Sequence, residues 1–206
     1  PDEFIKLLKQ SIRYEKSDTV LIGEVWEDAS NKMSYSKKRE YLFGYELDSI
    51  TNYPLRQLII EYSKKQISSE YFIKRYKSLL ENYPRENFFS TMNMLGTHDT
   101  ERILTILEGK IEQLKIAVLL QMTLPGVPLI YYGDEAGLKG GKDPDNRKPY
   151  PWGKENIEVI NIYKNLCRLR ANENIYKQVN YNKLLLDSVK NSFVIKNPMI
   201  MYENKK

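Results

Sequence analysis

The sequence predicts an α/β fold in which parallel strands alternate with crossover helices. Four short apolar runs are each followed by a polar loop and then by apolar residues at helical spacing. Alternation of this kind is typical of a parallel sheet, and four units fall short of closing an eight-stranded barrel. In addition, unusual polar residues follow three of the runs directly. The carboxyl ends of parallel strands are where functional sites form in such folds.

Four strands are predicted from short runs rich in β-branched or aromatic residues and bounded by turn residues. The first, a β-branched run, suits a buried parallel strand. The third ends at Gly96, and the fourth begins after a Pro-Gly turn and leads into a Gly- and Asp-rich loop at 133–153. The four runs are residues 19–26, 48–52, 88–95 and 127–132.

Helices are predicted between and around these strands from the spacing of apolar side chains. Pro54 favours a helix start, and Pro125 stops the strongly apolar helix that precedes it. Residues 27–47 read as a long loop with a short helix, and two weak strands are expected near 182–187 and 192–197. The predicted helices are residues 2–15, 55–64, 69–82, 110–123 and 156–171.

Composition limits the class of protein. The chain has 206 residues, of which 41% are hydrophobic and 29% are charged, as expected for a folded domain with a sizeable core. The net charge of +5 comes wholly from residues 158–206, where Lys and Arg are dispersed, so we expect no nucleic-acid partner. Apolar runs such as 116–120 are too short to span a bilayer, so we expect no membrane partner.

The single cysteine and the single histidine bear on compartment and cofactors. Cys167 excludes an internal disulfide and favours a reducing, cytoplasmic location; its apolar surroundings indicate a core residue rather than a nucleophile. His98 has no cysteine partner for a zinc site, and residues 139–142 lack the phosphate-loop pattern. We therefore expect no metal and no cofactor.

The end of the first predicted strand carries Glu24 and Trp26. An acid inside an apolar run is costly unless it is paired or protonated, and apolar surroundings raise the pKa of a carboxyl toward the range of a general acid. Trp26 shares the face of Glu24 and can stack on a sugar ring. A strand-end Glu that merely caps a neighbouring loop is the equally weighted alternative.

The loop after the third strand combines His98 and Asp99 with Asn93 and Arg102. A lone histidine is more often structural than functional, but this density of polar groups at a strand end is unusual for a plain loop. Asp99 and Glu24 would form a carboxylate pair on neighbouring loops, which is what glycoside hydrolysis requires.

The loop after the fourth strand carries Asp143 and Arg147, which can form a planar, bidentate clamp suited to sugar hydroxyls. The alternative is a surface loop closed by an ion pair. We favour that surface-loop interpretation for the neighbouring Asp134 and Glu135.

Taken together and in order, these motifs resemble the α-amylase superfamily of glycoside hydrolases, in particular its neopullulanase, cyclomaltodextrinase and maltogenic-amylase branch. Gly-Glu-Val-Trp at 23–26 is similar to the fifth-strand motif of the family's (β/α)8 barrel. The run Leu95-Gly-Thr-His-Asp-Thr100 is similar to the seventh-strand motif, and residues 126–135 resemble the eighth strand.

The resemblance implies a role for each of these residues. Glu24 would be the general acid/base and Asp99 the carboxylate that stabilises the transition state. Five residues would bind substrate: His98, Trp26, Asp143, Arg147 and Asn93.

The resemblance also implies the organisation of the chain. Residues 1–175 would be the C-terminal half (strands five to eight) of a TIM barrel, and residues 176–206 the start of a C-terminal β-sandwich. The family's nucleophilic Asp, in a Gly-Phe-Arg-x-Asp-like motif of the fourth strand, has no match in residues 1–18.

The expected function is therefore part of a retaining glycoside hydrolase that acts on α-1,4-glucosidic bonds of maltodextrins or cyclodextrins, with an oligosaccharide as partner. We expect the chain alone to be inactive and to self-associate through open barrel edges at the strands containing Leu21 and Ser49 or Leu129. The alternative is a non-catalytic carbohydrate-binding or regulatory module of the same fold.

Overall fold

The fold is known from a computed structural model, which describes residues 2–34, 36–43 and 45–172. A long helix opens the chain, and helices then alternate with short strands. The α-helices are α1 (Asp2–Glu15), α2 (Tyr53–Ser63), α3 (Ser69–Asn82), α4 (Arg85–Ser90), α5 (Ile103–Ile106), α6 (Ile111–Thr123) and α7 (Ile157–Asn172), with a 3-10 helix at Asp145–Arg147. The strands are β1 (Ile22–Gly23), β2 (Met33–Ser34), β3 (Lys37–Lys38), β4 (Ser49–Ile50), β5 (Met92–Met94) and β6 (Val127–Leu129).

Four of these strands run parallel in the order in which they occur in the chain. β1 pairs with β4, Thr51 bridges to Met92 at the start of β5, and β5 pairs with β6. The predicted parallel arrangement is confirmed, although each strand is shorter than its apolar run. Because the strands are parallel, the segments that follow them all leave from one edge of the sheet, and this edge carries the polar loops.

Helix boundaries follow from local capping. The Asn52 side chain accepts a hydrogen bond from the Leu55 amide at the start of α2, where Pro54 occupies the first turn. Ser68 caps α3 in the same way through the Tyr71 amide. All five predicted helices are present, with boundaries within two residues of those expected.

The core lies between the strands and the helices that cross over them. α6 packs against both α2 and α7, which explains why its sequence is apolar on nearly every side. Its residues Leu114, Ala117 and Val118 are completely buried, as is Val159 of α7. This packing holds the carboxyl ends of β5 and β6 in fixed positions relative to each other.

Two predictions about local structure are wrong. Phe88 and Phe89 belong to α4 rather than to the third strand, because a helical turn starting after Pro84 buries Phe88 completely in the core. The loop at 27–47 contains the antiparallel pair β2–β3 instead of a short helix. The strands expected near 182–187 and 192–197 lie outside the described residues.

No helix in the described part of the chain is both long and apolar enough to cross a membrane.

Candidate active site

The loops after β1, β4, β5 and β6 meet at the carboxyl ends of the strands and form the candidate site. Six of the seven predicted site residues lie on these loops with solvent-exposed side chains: Glu24, Trp26, His98, Asp99, Asp143 and Arg147. Asn93 is the exception.

Glu24 follows β1 and its side chain is exposed to solvent. The expectation that Glu24 is enclosed by apolar residues is therefore wrong, because β1 ends at Gly23 and the Glu24 side chain lies in solvent beyond the strand. One carboxylate oxygen, Oε1, accepts a hydrogen bond of 2.9 Å from the Tyr53 hydroxyl. The carboxylate is thus held at the strand end while it stays open to a substrate.

Tyr53 is a site residue that sequence reasoning missed. It is the first residue of α2 and is buried, and its ring stacks on Trp26 with centroids 3.9 Å apart and planes 12° from parallel. Burial, together with the neighbouring Glu24 carboxylate, raises the pKa of Tyr53 to about 12. The hydroxyl therefore stays protonated at neutral pH and remains a donor to Glu24. The sequence does hold one indication that Tyr53 belongs to the site, because this residue directly follows the second predicted strand.

Tyr53 also connects Glu24 to the next loop. Its hydroxyl lies 3.3 Å from Thr97 Oγ1, and the same Oγ1 accepts a hydrogen bond of 3.3 Å from the Asp99 amide. A chain of polar contacts therefore runs from the Glu24 carboxylate through Tyr53 and Thr97 to the backbone of Asp99.

Asp99 is surrounded by polar groups that can share a substrate. His98 Nε2 lies 3.3 Å from Asp99 Oδ2, and an Arg147 guanidinium nitrogen lies 3.3 Å from Oδ1. All three side chains are between about one third and three fifths exposed (57% for His98, 37% for Asp99, 45% for Arg147). This leaves hydrogen-bonding capacity on each of them for hydroxyl groups.

The predicted Asp143–Arg147 pair forms, but with a different geometry. Arg147 Nε contacts Asp143 Oδ1 at 2.9 Å, while its Nη2 turns toward Asp99. The two side chains therefore pair through one contact and not in the bidentate form, and their use as a clamp on sugar hydroxyls stays a prediction. Arg147 instead links the Asp143 loop to the Asp99 loop, and its Nε also donates to the His98 carbonyl at 3.1 Å.

Asn93 does not join this group. It is 1% exposed, its Nδ2 donates to the Pro125 carbonyl at 2.6 Å, and its Oδ1 accepts from the Asn52 amide. The predicted substrate contact is thus not supported, since Asn93 lies on β5 and is fully occupied in joining the strand to its neighbours.

Asp134 corrects the prediction of a surface loop. It is 1% exposed and pairs with Arg102, which has no exposed surface, at 3.2 Å. The Arg102 guanidinium lies against the rings of Tyr131 and Tyr132, at 4.1 Å and 4.6 Å from their centroids. Burial raises the pKa of Asp134 to about 7, although Arg102 opposes this rise. The pair supports the loops from beneath and is not available to a substrate.

Within the described residues, no group of three or more His, Cys, Asp or Glu side chains is arranged to hold a metal ion. Cys167 is a free, half-buried thiol on α7, and burial raises its pKa, as expected for a core residue.

A parallel α/β sheet with polar loops at the carboxyl ends of its strands is the arrangement found in α/β barrels and in open α/β sheets. The sequence matches the family described as "Alpha amylase, catalytic domain" over residues 1–197. The chain belongs to this family.

Relatives with known names show which members of this family the chain is similar to. It is similar to an amylopullulanase of Thermoanaerobacter thermohydrosulfuricus (36% identical over 193 residues, 81% of this chain and 12% of the relative). It is also similar to neopullulanase 2 of Thermoactinomyces vulgaris (37% identical over 171 residues, 82% of this chain and 27% of the relative). Other relatives carry the names cyclomaltodextrinase and maltogenic alpha-amylase, so the resemblance found in the sequence is confirmed.

The fold agrees with a solved structure of the cyclic alpha-maltosyl-(1→6)-maltose hydrolase of Arthrobacter globiformis, with a TM-score of 0.79 and 26% identity. The match covers 86% of this chain and 39% of that one. The chain therefore spans well under half the length of each of these proteins.

Proposed function

We propose that the chain forms one half of the active site of a retaining glycoside hydrolase that cleaves α-1,4-glucosidic bonds in maltodextrins or cyclodextrins. The observation that carries this proposal is the pair of exposed carboxylates, Glu24 and Asp99, which follow β1 and β5 of one parallel sheet, with Tyr53 and Thr97 connecting the Glu24 carboxylate to the backbone of Asp99. The names of the relatives, which are enzymes of starch-type oligosaccharides, point to the substrate class.

Glu24 is assigned as general acid/base. Retaining hydrolysis needs a carboxyl that first protonates the leaving oxygen and then activates water. Glu24 is exposed, so it can reach a glycosidic oxygen, and Tyr53 restricts where its carboxylate points. Trp26, with one face stacked on Tyr53 and 48% of its surface exposed, supplies an apolar surface for the sugar that leaves.

Asp99 is assigned to stabilise the sugar as positive charge develops at its anomeric carbon. His98, Arg147 and Asp143 extend the same surface with donors and acceptors suited to hydroxyl groups. Arg147 contacts Asp143 and Asp99 through different nitrogens and is still partly exposed, so it can bind a sugar hydroxyl while it stays bonded to Asp99.

The nucleophile is assigned to residues outside the 206 of this sequence. A retaining enzyme places its nucleophile about 5–5.5 Å from the acid/base. The family that the sequence resembles carries its nucleophilic Asp in a fourth-strand motif, and residues 1–18 contain no match to that motif. Asp134 is buried against Arg102 and is not available as a nucleophile. We infer that the described sheet is the C-terminal half of a barrel, that residues 176–206 begin a β-sandwich, and that this chain alone is inert. The cytoplasmic location stays a prediction.

The test uses the longer protein encoded by the reading frame that contains this chain, with glucose and maltose release from maltotriose and from a cyclodextrin as readout. Glu24→Gln and Asp99→Asn are each expected to lower kcat by at least about 1,000-fold. The matched control Glu158→Gln changes an exposed carboxylate on α7 and is expected to leave kcat unchanged.

Three results would contradict the proposal. The first is full activity of Glu24→Gln. The second is release of glucose by the 206-residue chain alone that Glu24→Gln abolishes, which would overturn the assignment of the nucleophile to residues outside it. The third is saturable binding of maltotriose by the longer protein without any hydrolysis, which would favour a carbohydrate-binding module.

A further inference from the structure

The turn that carries Asp99 has little regular structure of its own. β5 ends at Met94, and residues 98–100 form a turn held by contacts between Thr97 and Thr100. A catalytic carboxylate on such a turn needs support from elsewhere in the fold, because displacement by about 1 Å can cost about 100-fold in rate.

Asn146 supplies that support from the loop after β6. Its side-chain Nδ2 donates to the carbonyl of His98 at 2.7 Å and to the carbonyl of Thr100 at 2.9 Å. These carbonyls belong to the residues on either side of Asp99, so a single amide group is bonded to the 98–99 peptide directly before Asp99 and to the 100–101 peptide one residue beyond it.

Asn146 is itself held rigidly. It has no exposed surface, and it lies in the 3-10 helix at Asp145–Arg147. Its carbonyl accepts a hydrogen bond of 2.7 Å from Nε of the fully buried Arg102. Arg102 is in turn fixed by Asp134 and by the rings of Tyr131 and Tyr132.

The chemistry of the Asn146 side chain suits this contact. Its amide nitrogen carries two N–H donors and can therefore satisfy two carbonyl oxygens at once, whereas a carboxylate at this place would have no donor. Asn146 Oδ1 is buried and has no hydrogen-bond partner, which is the cost of directing both donors at the turn.

We propose that Asn146 is the positioning residue for Asp99, acting through the backbone carbonyls of His98 and Thr100. This inference deepens the proposed function, since it rests on the assignment of Asp99 to the reaction. Asn146 touches neither substrate nor reacting atoms.

The kinetic test compares Asn146→Ala with Asn146→Ser, which keeps one donor, in the longer protein that contains this chain. Asn146→Ala is expected to lower kcat on maltotriose by about 100-fold with KM changed by only a few-fold, and Asn146→Ser to lie between it and the unaltered protein. The control Asn161→Ala removes an exposed amide on α7 and is expected to have no effect.

A double-mutant cycle separates positioning from general destabilisation. In an Asp99→Ala background, with an activated aryl maltoside as substrate, Asn146→Ala is expected to cause little further loss of kcat. An equal fold-loss in both backgrounds, or an unchanged kcat of Asn146→Ala in the unaltered background, would overturn the proposal. If Asn146→Ala accumulates only as unfolded protein, Asn146→Ser enters the same cycle.

Hydrogen exchange gives a readout that does not depend on activity. Backbone amides of residues 96–102 are expected to exchange faster in Asn146→Ala, while those of α2 and α6 exchange as before. If the unaltered protein proves inactive on α-glucans, the proposed function fails, but exchange still decides whether Asn146 holds the turn. Unchanged exchange at 96–102 would overturn the positioning role even in an active enzyme.

Discussion

At the scale of single residues, Tyr53 shows how a buried phenol can serve an exposed carboxylate. Its ring is fixed by stacking on Trp26 and its hydroxyl is directed at Glu24. The ring stacks and the hydroxyl donates a hydrogen bond, so removal of the hydroxyl oxygen alone tests the contribution of the hydrogen bond.

Tyr53→Phe is expected to keep the stacked ring and to lose the hydrogen bond to Glu24. Hydrogen bonds to charged groups contribute about 1.5–3 kcal/mol, so kcat for maltotriose in the longer protein should fall by about 10- to 100-fold. Tyr71→Phe, at a half-exposed position on α3, is the control. Equal kcat values for Tyr53→Phe and the unaltered protein would show that the hydrogen bond is not used in catalysis.

Asp134 gives a prediction about pH. Burial raises its pKa from 3.8 to about 7, so the folded protein binds this proton more tightly than the unfolded chain does. The contribution of Asp134 to the free energy of unfolding should therefore fall as the pH rises from about 4 to about 7, because the buried group must ionise.

Urea denaturation across this pH range, carried out on the unaltered chain and on Asp134→Asn, measures the effect as a difference between the two. The stability of the unaltered chain relative to Asp134→Asn is expected to decline with rising pH and to level off above about pH 7. Asp18→Asn, at an exposed site, should show no such trend. A difference that stays constant with pH would contradict the raised pKa.

Single residues also show where sequence reasoning succeeds and where it fails. The positions of Glu24, His98 and Asp99 at strand ends could be predicted, because a polar residue after an apolar run marks the end of a strand. The burial of Asn93 could not be predicted, since its partners Pro125 and Asn52 lie 32 and 41 residues away. Whether a side chain faces the site or the interior depends on those distant contacts.

At the scale of elements, the junction between β5 and its following loop depends on a close approach. A Cβ added at Gly96 would lie 2.1 Å from Asp134 Oδ2, and Asp134 is held in place by Arg102. Glycine is needed here because the end of β5 passes directly over the buried ion pair.

Gly96→Ala is therefore expected to destabilise the chain by about 1–3 kcal/mol and to lower its melting temperature by several degrees. Gly141→Ala is a matched control, since a Cβ there lies 3.6 Å from Asp145 Oδ2, an ordinary contact. Thermal unfolding followed by circular dichroism compares the two variants. Coincident melting curves would mean that the ion pair moves aside at little cost.

The elements differ in how well their sequences predict them. α2 and α6 are identified from the sequence by sustained helical spacing, by Pro54 at the start of α2 and by Pro125 just after α6. In the predicted strand at 88–95, residues 92–94 do form β5, but residues 88–90 belong to α4. Two adjacent phenylalanines are compatible with a strand or a short helix, and periodicity cannot distinguish the two over so few residues. The helical conformation is favoured here because it buries Phe88 in the core formed by helices distant in sequence.

At the scale of the whole molecule, the parallel sheet ends in two outer strands, β1 and β6. Within the described residues neither of them pairs with a further strand on its outer side. The expectation that the strand with Leu21 and the strand with Leu129 form the edges is confirmed, while Ser49 lies on the inner strand β4. Apolar side chains along both edges are exposed, including Ile22 (45%) and Val127 (50%).

Open edges of this kind invite pairing with other strands, so the 206-residue chain on its own is expected to self-associate at micromolar concentrations. Val127→Lys places a charge on the β6 edge and should shift the population toward monomer. Leu119→Lys, on the exposed side of α6, adds the same charge away from the edge and should not. Multi-angle light scattering measures the mass, and a monomeric unaltered chain would contradict the expectation.

The sequence by itself determined the order of strands and helices, the family, and which loops carry the candidate chemistry, because these follow from local periodicity and from motifs of adjacent residues. Only the tertiary structure decided that Glu24 is exposed, that Asn93 and Asp134 are buried, and that Tyr53 and Asn146 hold the two carboxylates in place. The physical reason is the range of the interactions. A hydrogen bond such as the one from Asn146 to the carbonyl of His98 joins residues 48 positions apart, and no local pattern records which distant backbone group a buried side chain will meet.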